Sequence, residues 1–313
     1  MAHDTGDYQT YYVPEQSKLP FFATIGLGLF ILGLARLMNQ STFDGVVQTP
    51  WMMYVGLAIF LTVLWKWFAT TIRENLAGLN SPQLKKSYVM GMQWFIFSEV
   101  MFFFAFFFTL AYVRFWVVPW LGGEGDNGVS NQLWEGFQAS WPLLTTPQEA
   151  VTAAGGTQLM ANQGTFKGAS ESVHWAGLPL LNTVLLLTSS VTVHFAHSAL
   201  KAGNRKNLTL WLAATLALGF AFVGFQALEY YHAYEELGLT LGAGIYGSTF
   251  YMMTGFHGFH VCLGAVMLTV MFLRATTKGH FTAEDHFGFE AASWYWHFVD
   301  VVWVGLFLFV YIF

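Results

Sequence analysis

Long apolar runs separated by short polar breaks dominate the chain from residue 20 to its last residue. A helix rises about 1.5 Å per residue, so roughly 20 mostly apolar residues cross the hydrocarbon of a bilayer. Seven stretches reach that length, approximately 20-38, 51-70, 88-116, 177-198, 208-230, 246-273 and 291-312. A helix on a soluble surface would carry charge every three or four positions, whereas these runs are apolar all round. The pattern predicts an all-α, polytopic membrane protein, a seven-transmembrane helix bundle in which 1-313 form a single integral membrane domain. Residues 1-19 hold Asp4, Asp7 and Glu15 with Lys18 as the only base, and no small-residue cleavage pattern follows, so the first span is expected to be retained. The stretch 117-176 reads as one long, glycine-rich loop with a weak helical period only at 146-154. Loops of that length are usually functional or partly disordered. No internal repeat and no second domain is visible.

Basic residues set the expected orientation, because loops on the cytoplasmic side retain Lys and Arg. With seven spans, the N-terminus shares one side with the loops near 71-87, 199-207 and 274-290. That side takes Lys18, Lys66, Arg73, Lys85, Lys86, Lys201, Arg205, Lys206, Arg274 and Lys278, and the other only Arg36, Arg114 and Lys167. The N-terminus is therefore expected in the cytoplasm or matrix, with the C-terminus and the 117-176 loop outside.

Composition narrows the chemistry. Hydrophobic residues make up 55% of the chain and charged residues only 10%, against roughly a quarter in ordinary soluble domains. A formal charge of -5 argues against a nucleic-acid partner. The single cysteine, Cys262, excludes an internal disulfide, a Cys-only zinc site and a two-cysteine copper or redox motif. Any metal would need His and carboxylates.

Ionisable groups in hydrocarbon are costly, so each is a functional candidate. Glu99 lies about 11 residues into the third span with no base near it in sequence; a lone carboxyl there favours its neutral form, which suits proton handling, buried hydrogen bonding or reaction with hydrophobic carboxyl reagents. His257 and His260 share one face of the sixth span, His297 and Asp300 do so in the seventh, and His194 and His197 repeat the spacing in the fourth. Two neighbours on one helix cannot supply both axial ligands of a haem, although facing helices could. The plainer reading is hydrogen bonding between helices, with Asp300 or Glu99 as acceptors. Glu229 and His232 match one Glu-x-x-His step of di-iron bundles, but no second step exists, and the pair falls at the outer membrane edge where Tyr and His anchor. Glycines at 26, 28 and 33, and at 255, 258 and 264, permit close helix approach.

Several blocks then carry a resemblance. Ile72-Arg73-Glu74, Ser98-Glu99-Val100-Met101-Phe102-Phe103, Pro179-Leu180-Leu181-Asn182-Thr183 and Gln226-Ala227-Leu228-Glu229-Tyr230-Tyr231 occur in order. Thr254-Gly255-Phe256-His257-Gly258-Phe259-His260-Val261 follows, and the chain closes with His286-Phe287-Gly288-Phe289-Glu290-Ala291-Ala292-Ser293-Trp294-Tyr295-Trp296-His297-Phe298-Val299-Asp300. From about residue 50 onward the chain resembles subunit III of haem-copper cytochrome c oxidases, in a bacterial type with a long loop between the third and fourth helices.

The resemblance implies helices 1-2 and helices 3-7 parted by a lipid-filled cleft, in a non-catalytic subunit of a proton-pumping oxidase that passes electrons from cytochrome c to O2. It implies no catalytic residue, metal or redox cofactor in this chain, with haem and copper in partner subunits I and II. Glu99 matches the family's carbodiimide-reactive carboxyl. Arg73, Glu74 and Arg274 match phospholipid contacts, as does His280 less closely, the segment before it being one residue longer. The implied role is to stabilise the core, hold lipids and support proton uptake by subunit I, in a bacterial inner or a mitochondrial inner membrane. Two departures stand out: residues 1-19 show no family pattern, and 143-173 reads as an insertion, a candidate contact for a cytochrome c or another respiratory complex. Related quinol-oxidase subunits generally lack the first two spans, both present here. Two other classes are open to test: a transporter with Glu99, His257 and Asp300 as a relay, which would favour pseudo-repeat halves, and a haem-binding anchor using His257, His260 and His297.

Overall fold

The computed structural model describes residues 16–43 (40–43 as backbone only), 50–125, 128–156 and 167–313. Seven helices among them are long and apolar enough to span a bilayer. They are α1 (Leu19–Phe43), α2 (Trp51–Leu76), α3 (Pro82–Tyr112), and, after two short helices α4 (Ser130–Leu133) and α5 (Pro147–Ala153), α6 (Leu178–Lys201), α7 (Arg205–Glu235), α8 (Gly244–Leu273) and α9 (Phe287–Leu306). Most outrun the apolar windows that predict them. The added turns carry residues such as Glu74, Lys85, Lys201 and Arg205, which remain helical where a membrane helix leaves the hydrocarbon. Three spans carry a π-helical turn near one end: α3 runs through Val113–Val117 and on as α-helix to Leu121, α8 continues over Arg274–Lys278, and α9 over Phe307–Ile312.

The chain divides into two compact units, Met1–Met90 and Gly91–Phe313. In the first, α1 and α2 pack along each other at glycines. A Cβ at Gly33 would collide with the Met53 backbone nitrogen, and one at Gly56 with that of Phe30. Close backbone approach of this kind is what holds helices together when lipid removes the hydrophobic drive.

In the second unit α6, α7, α8 and α9 pack in a closed ring, α6 on α7, α7 on α8, α8 on α9 and α9 back on α6. The centre is aromatic, with Trp296, Trp303, Tyr295, Phe222 and Phe289 fully buried. Trp296 fits because Gly219 of α7 and Gly264 of α8 flank its ring; a Cβ at either would lie 2.8 Å from an indole carbon. Its indole N–H donates to Ser189 Oγ at 2.9 Å, and that of Trp303 to Thr183 Oγ1 at 2.9 Å. Residues 91–112 of α3 lean on this ring through large rings, Phe95 stacking on Tyr295 and Phe102 meeting Phe256 edge to face. Of the glycines singled out by spacing, Gly28 and Gly258 face open space, so the pattern overcounts close contacts.

The described parts of the 117-176 loop are built rather than loose. Thr146 and Glu149 form a reciprocal capping box at the start of α5, inside the weak helical period at 146-154. Glu149 Oε2 also accepts the Gly168 N–H at 3.0 Å, closing the loop on itself. Ser170 donates through both its N–H and its hydroxyl to Leu237 O, each at 2.9 Å, tying the loop to the end of α7.

Candidate functional site

Glu99 is not the isolated carboxyl that its sequence neighbours suggest. One turn pattern on α8 brings His260 to it, with Nε2 at 2.9 Å from Glu99 Oε2. The other ring nitrogen of His260 contacts the Phe256 carbonyl at 2.6 Å, so both nitrogens are engaged and the ring is fixed. Phe103 meets that ring edge to face and Tyr295 stacks on it at 6.4 Å. Tyr295, buried in α9, keeps a hydroxyl with no hydrogen-bond partner among the described residues. The result is a carboxyl–imidazole pair between α3 and α8, walled by aromatic rings.

His257, one turn before, goes elsewhere. Its Nε2 meets the Val299 carbonyl of α9 at 3.2 Å, between Phe222 and Trp303, and its Nδ1 is buried without a partner among the described residues. His297 and Asp300 are close but not well bonded to each other, Nδ1 to Oδ2 being 3.7 Å. His297 Nδ1 instead meets Ser190 Oγ of α6 at 2.7 Å. Asp300 is buried.

A second buried carboxyl escaped the spacing argument. Glu229 faces the bundle interior and is not an interfacial anchor. Its Oε1 accepts from Tyr311 Oη at 2.6 Å and from Gln226 Nε2 at 3.4 Å, and Gln226 Oε1 accepts from Asn182 Nδ2 at 3.3 Å. His232, three residues on, points outward and pairs with Glu236 at 2.9 Å. The Glu-x-x-His step therefore serves two faces. The signal that could have exposed this network was a Gln, a Glu and an Asn in otherwise apolar spans.

Several other candidate residues gather at span ends. His197, His286 and Glu290 bring three potential ligand atoms within 4.8 Å of one another, a juxtaposition of α6 with the start of α9 that helical spacing does not reveal. Arg274 lies on the π-turn after α8 with its guanidinium carbon 4.5 Å over the Phe281 ring and its Nε buried without a partner among the described residues. Arg205 holds the neighbouring loop by donating to the Gly279 and Phe281 carbonyls at 3.1 and 2.7 Å. Desolvation lowers the proton affinity of His280, and the nearby Arg274 and Lys278 charges lower it further. In the first unit, Arg73 Nε donates to Ala69 O at 3.3 Å, and Glu74 is the next residue on α2.

Seven spanning helices with paired and hydrogen-bonded carboxyl groups inside them define an integral membrane protein of the polytopic helical class. The model of the family described as Cytochrome c oxidase subunit III matches residues 9–124 and 160–313. Curated proteins called cytochrome c oxidase subunit 3 match along their whole length: that of Carassius auratus is 36% identical over 99% of this chain and 98% of its own, that of Oryctolagus cuniculus 35% over the same shares, and that of Scyliorhinus canicula 38%. The chain belongs to the cytochrome c oxidase subunit III family. The family match begins at residue 9, well before the point near 50 where motifs alone suggest it, so the first span is included. The internal stretch without a match is 125–159, which begins and ends earlier than the insertion read at 143-173.

Proposed function

We propose that this chain is a non-catalytic subunit of its oxidase, holding phospholipid and sustaining proton uptake by the haem-bearing subunit I, while subunits I and II carry haem and copper. The single observation that best supports this reading is the Glu99–His260 pair, a carboxyl fixed by an imidazole at mid-membrane in a chain of this family. An acid held this way can take up or release a proton without leaving a bare charge in hydrocarbon. The same carboxyl is the one we assign to carbodiimide modification.

Phospholipid headgroups are assigned to Arg73 and Glu74 on α2 and to Arg274 and His280 after α8. Arg274 suits a phosphate because its aromatic neighbour fixes the guanidinium plane. The distribution of Lys and Arg supports an N-terminus in the cytoplasm or matrix and a C-terminus on the opposite side. The 117-176 loop then lies outside, where a cytochrome c or another respiratory complex is a candidate contact.

The test is to deplete the purified oxidase of this chain and follow turnover. The reading predicts that initial oxidase activity survives and that proton uptake slows and activity then decays during turnover, both restored by adding the chain back. Unchanged kinetics after depletion would refute it.

A further inference from the structure

Three side chains that the role proposed above does not use come together where α6 ends and α9 begins. His286 caps the start of α9 and Glu290 follows one turn along, so the two share a face. His197 comes from the end of α6. Its Nε2 stands 3.7 Å from Glu290 Oε1, and its ring meets that of His286 edge to face with centroids 5.3 Å apart. One potential ligand atom from each of the three lies within 4.8 Å of the others.

The loop that delivers His286 is itself held. Arg205 donates to the Gly279 and Phe281 carbonyls, and the Asp285 N–H closes a turn on Thr282 Oγ1 at 3.0 Å. His286 Nδ1 lies 3.0 Å from the Thr282 carbonyl. A carbonyl only accepts, so Nδ1 carries the proton and Nε2 presents a lone pair. A backbone carbonyl on the far nitrogen is the contact that orients metal-binding histidines and fixes their tautomer. The Nε2 atoms of His286 and His197 are both buried with no hydrogen-bond partner among the described residues. Polar atoms placed so are ordinarily met by a side chain, a water or an ion. The Glu290 side chain is 30% exposed, which leaves an approach from the aqueous side.

We propose that His197, His286 and Glu290 form a Zn2+ site that clasps the end of α6 to the start of α9, with water as the fourth ligand. Two imidazoles and one carboxylate suit zinc, and sites with three protein ligands keep a fourth position for water. The ligand atoms of a tetrahedral zinc stand about 3.3 Å from one another, and the 3.7 Å between His197 and Glu290 is already close to that spacing. Glu290 supplies a negative charge against the cation. The motif resemblance implies no metal in this chain, because it does not show that α6 and the start of α9 meet; the site departs from that expectation and is independent of the proton-uptake role.

The experiment uses the full chain, purified in detergent without a polyhistidine tag, washed with EDTA and titrated with Zn2+ alone. One Zn2+ per chain is expected to survive gel filtration, with X-ray absorption showing two imidazole nitrogens and a carboxylate oxygen on the metal. His286→Ala and Glu290→Gln should each weaken binding by more than the about 10- to 100-fold that loss of an outer contact costs. His232→Ala, at the other end of the bundle, should bind as the parent does. Glu290→Gln keeps the size and hydrogen bonding of the side chain, and an unaltered helical circular dichroism spectrum separates lost binding from lost folding. Zn2+ should also raise the thermal midpoint of the parent chain and leave that of His286→Ala where it was. No retained zinc in the parent, or equal binding by the parent and both variants, would overturn the site. A parent midpoint that zinc does not move would overturn the clasp. Neither result bears on proton uptake, which is read from the depleted oxidase.

Discussion

Glu99 of α3 and His260 of α8 meet at 2.9 Å although 161 residues separate them in sequence. The contact joins the helix that leans on the four-helix ring to the ring itself. It also decides what the carboxyl can do, because Oε2 meets an imidazole whose other nitrogen is already held by the Phe256 carbonyl.

Replacing Glu99 by Gln keeps the shape and a hydrogen-bonding oxygen but removes the acid. Assembly should persist while carbodiimide labelling disappears, as read by mass spectrometry of the labelled chain. Undiminished labelling would place the reactive carboxyl elsewhere.

The His260→Leu variant leaves Glu99 without its partner, at a cost of about 1–3 kcal/mol. A carbodiimide takes the acid's proton on nitrogen and accepts the carboxyl oxygen at its central carbon, so a carboxyl whose Oε2 is no longer held by the imidazole should label faster than in the parent chain. A slower labelling rate would show that His260 promotes the reactive form.

Glu229 and Tyr311 predict a purely structural effect. Tyr311→Phe removes the 2.6 Å donor to Glu229 Oε1 and leaves a buried carboxyl whose other oxygen already has no partner. Thermal stability of the purified chain in detergent should fall by about 1–3 kcal/mol, with carbodiimide labelling of Glu99 unaltered.

Trp296 has space only because Gly219 and Gly264 lack side chains. Gly264→Val sets carbon against the indole at less than contact distance and should cost about 1–3 kcal/mol or more, measured as a lower midpoint of thermal unfolding. Gly258→Val, at a glycine facing open space, should be close to neutral.

The spans were legible because lipid enforces them: a segment of this length and apolarity has no other stable place. Helix ends were less so, since the residues that end an apolar window, such as Glu74 and Lys201, still continue the helix into the polar interface. His260 was visible as a candidate, and Glu99 as well, but their pairing is a tertiary fact that spacing on either helix cannot supply. Glu229 misled because its neighbours Tyr230, Tyr231 and His232 look interfacial; only the packing of α7 turns position 229 inward and 232 outward. The loop's capping box at Thr146 and Glu149 was local and therefore partly readable, whereas the bond from Glu149 to Gly168 was not.

Neutralising Arg73 or Arg274 tests the lipid assignment. Either change should lower the phospholipid retained by the purified oxidase and shorten its working lifetime, with initial activity preserved. Unaltered lipid content by mass spectrometry would contradict the assignment.

The most direct measurement is the visible spectrum and subunit pattern of the material that this chain brings from native membranes in mild detergent, before and after its partners are stripped away. Haem absorption is expected in the intact preparation and none in the isolated chain. Haem that stays with the isolated chain would contradict it and would make His257, His260 and His297 candidate ligands.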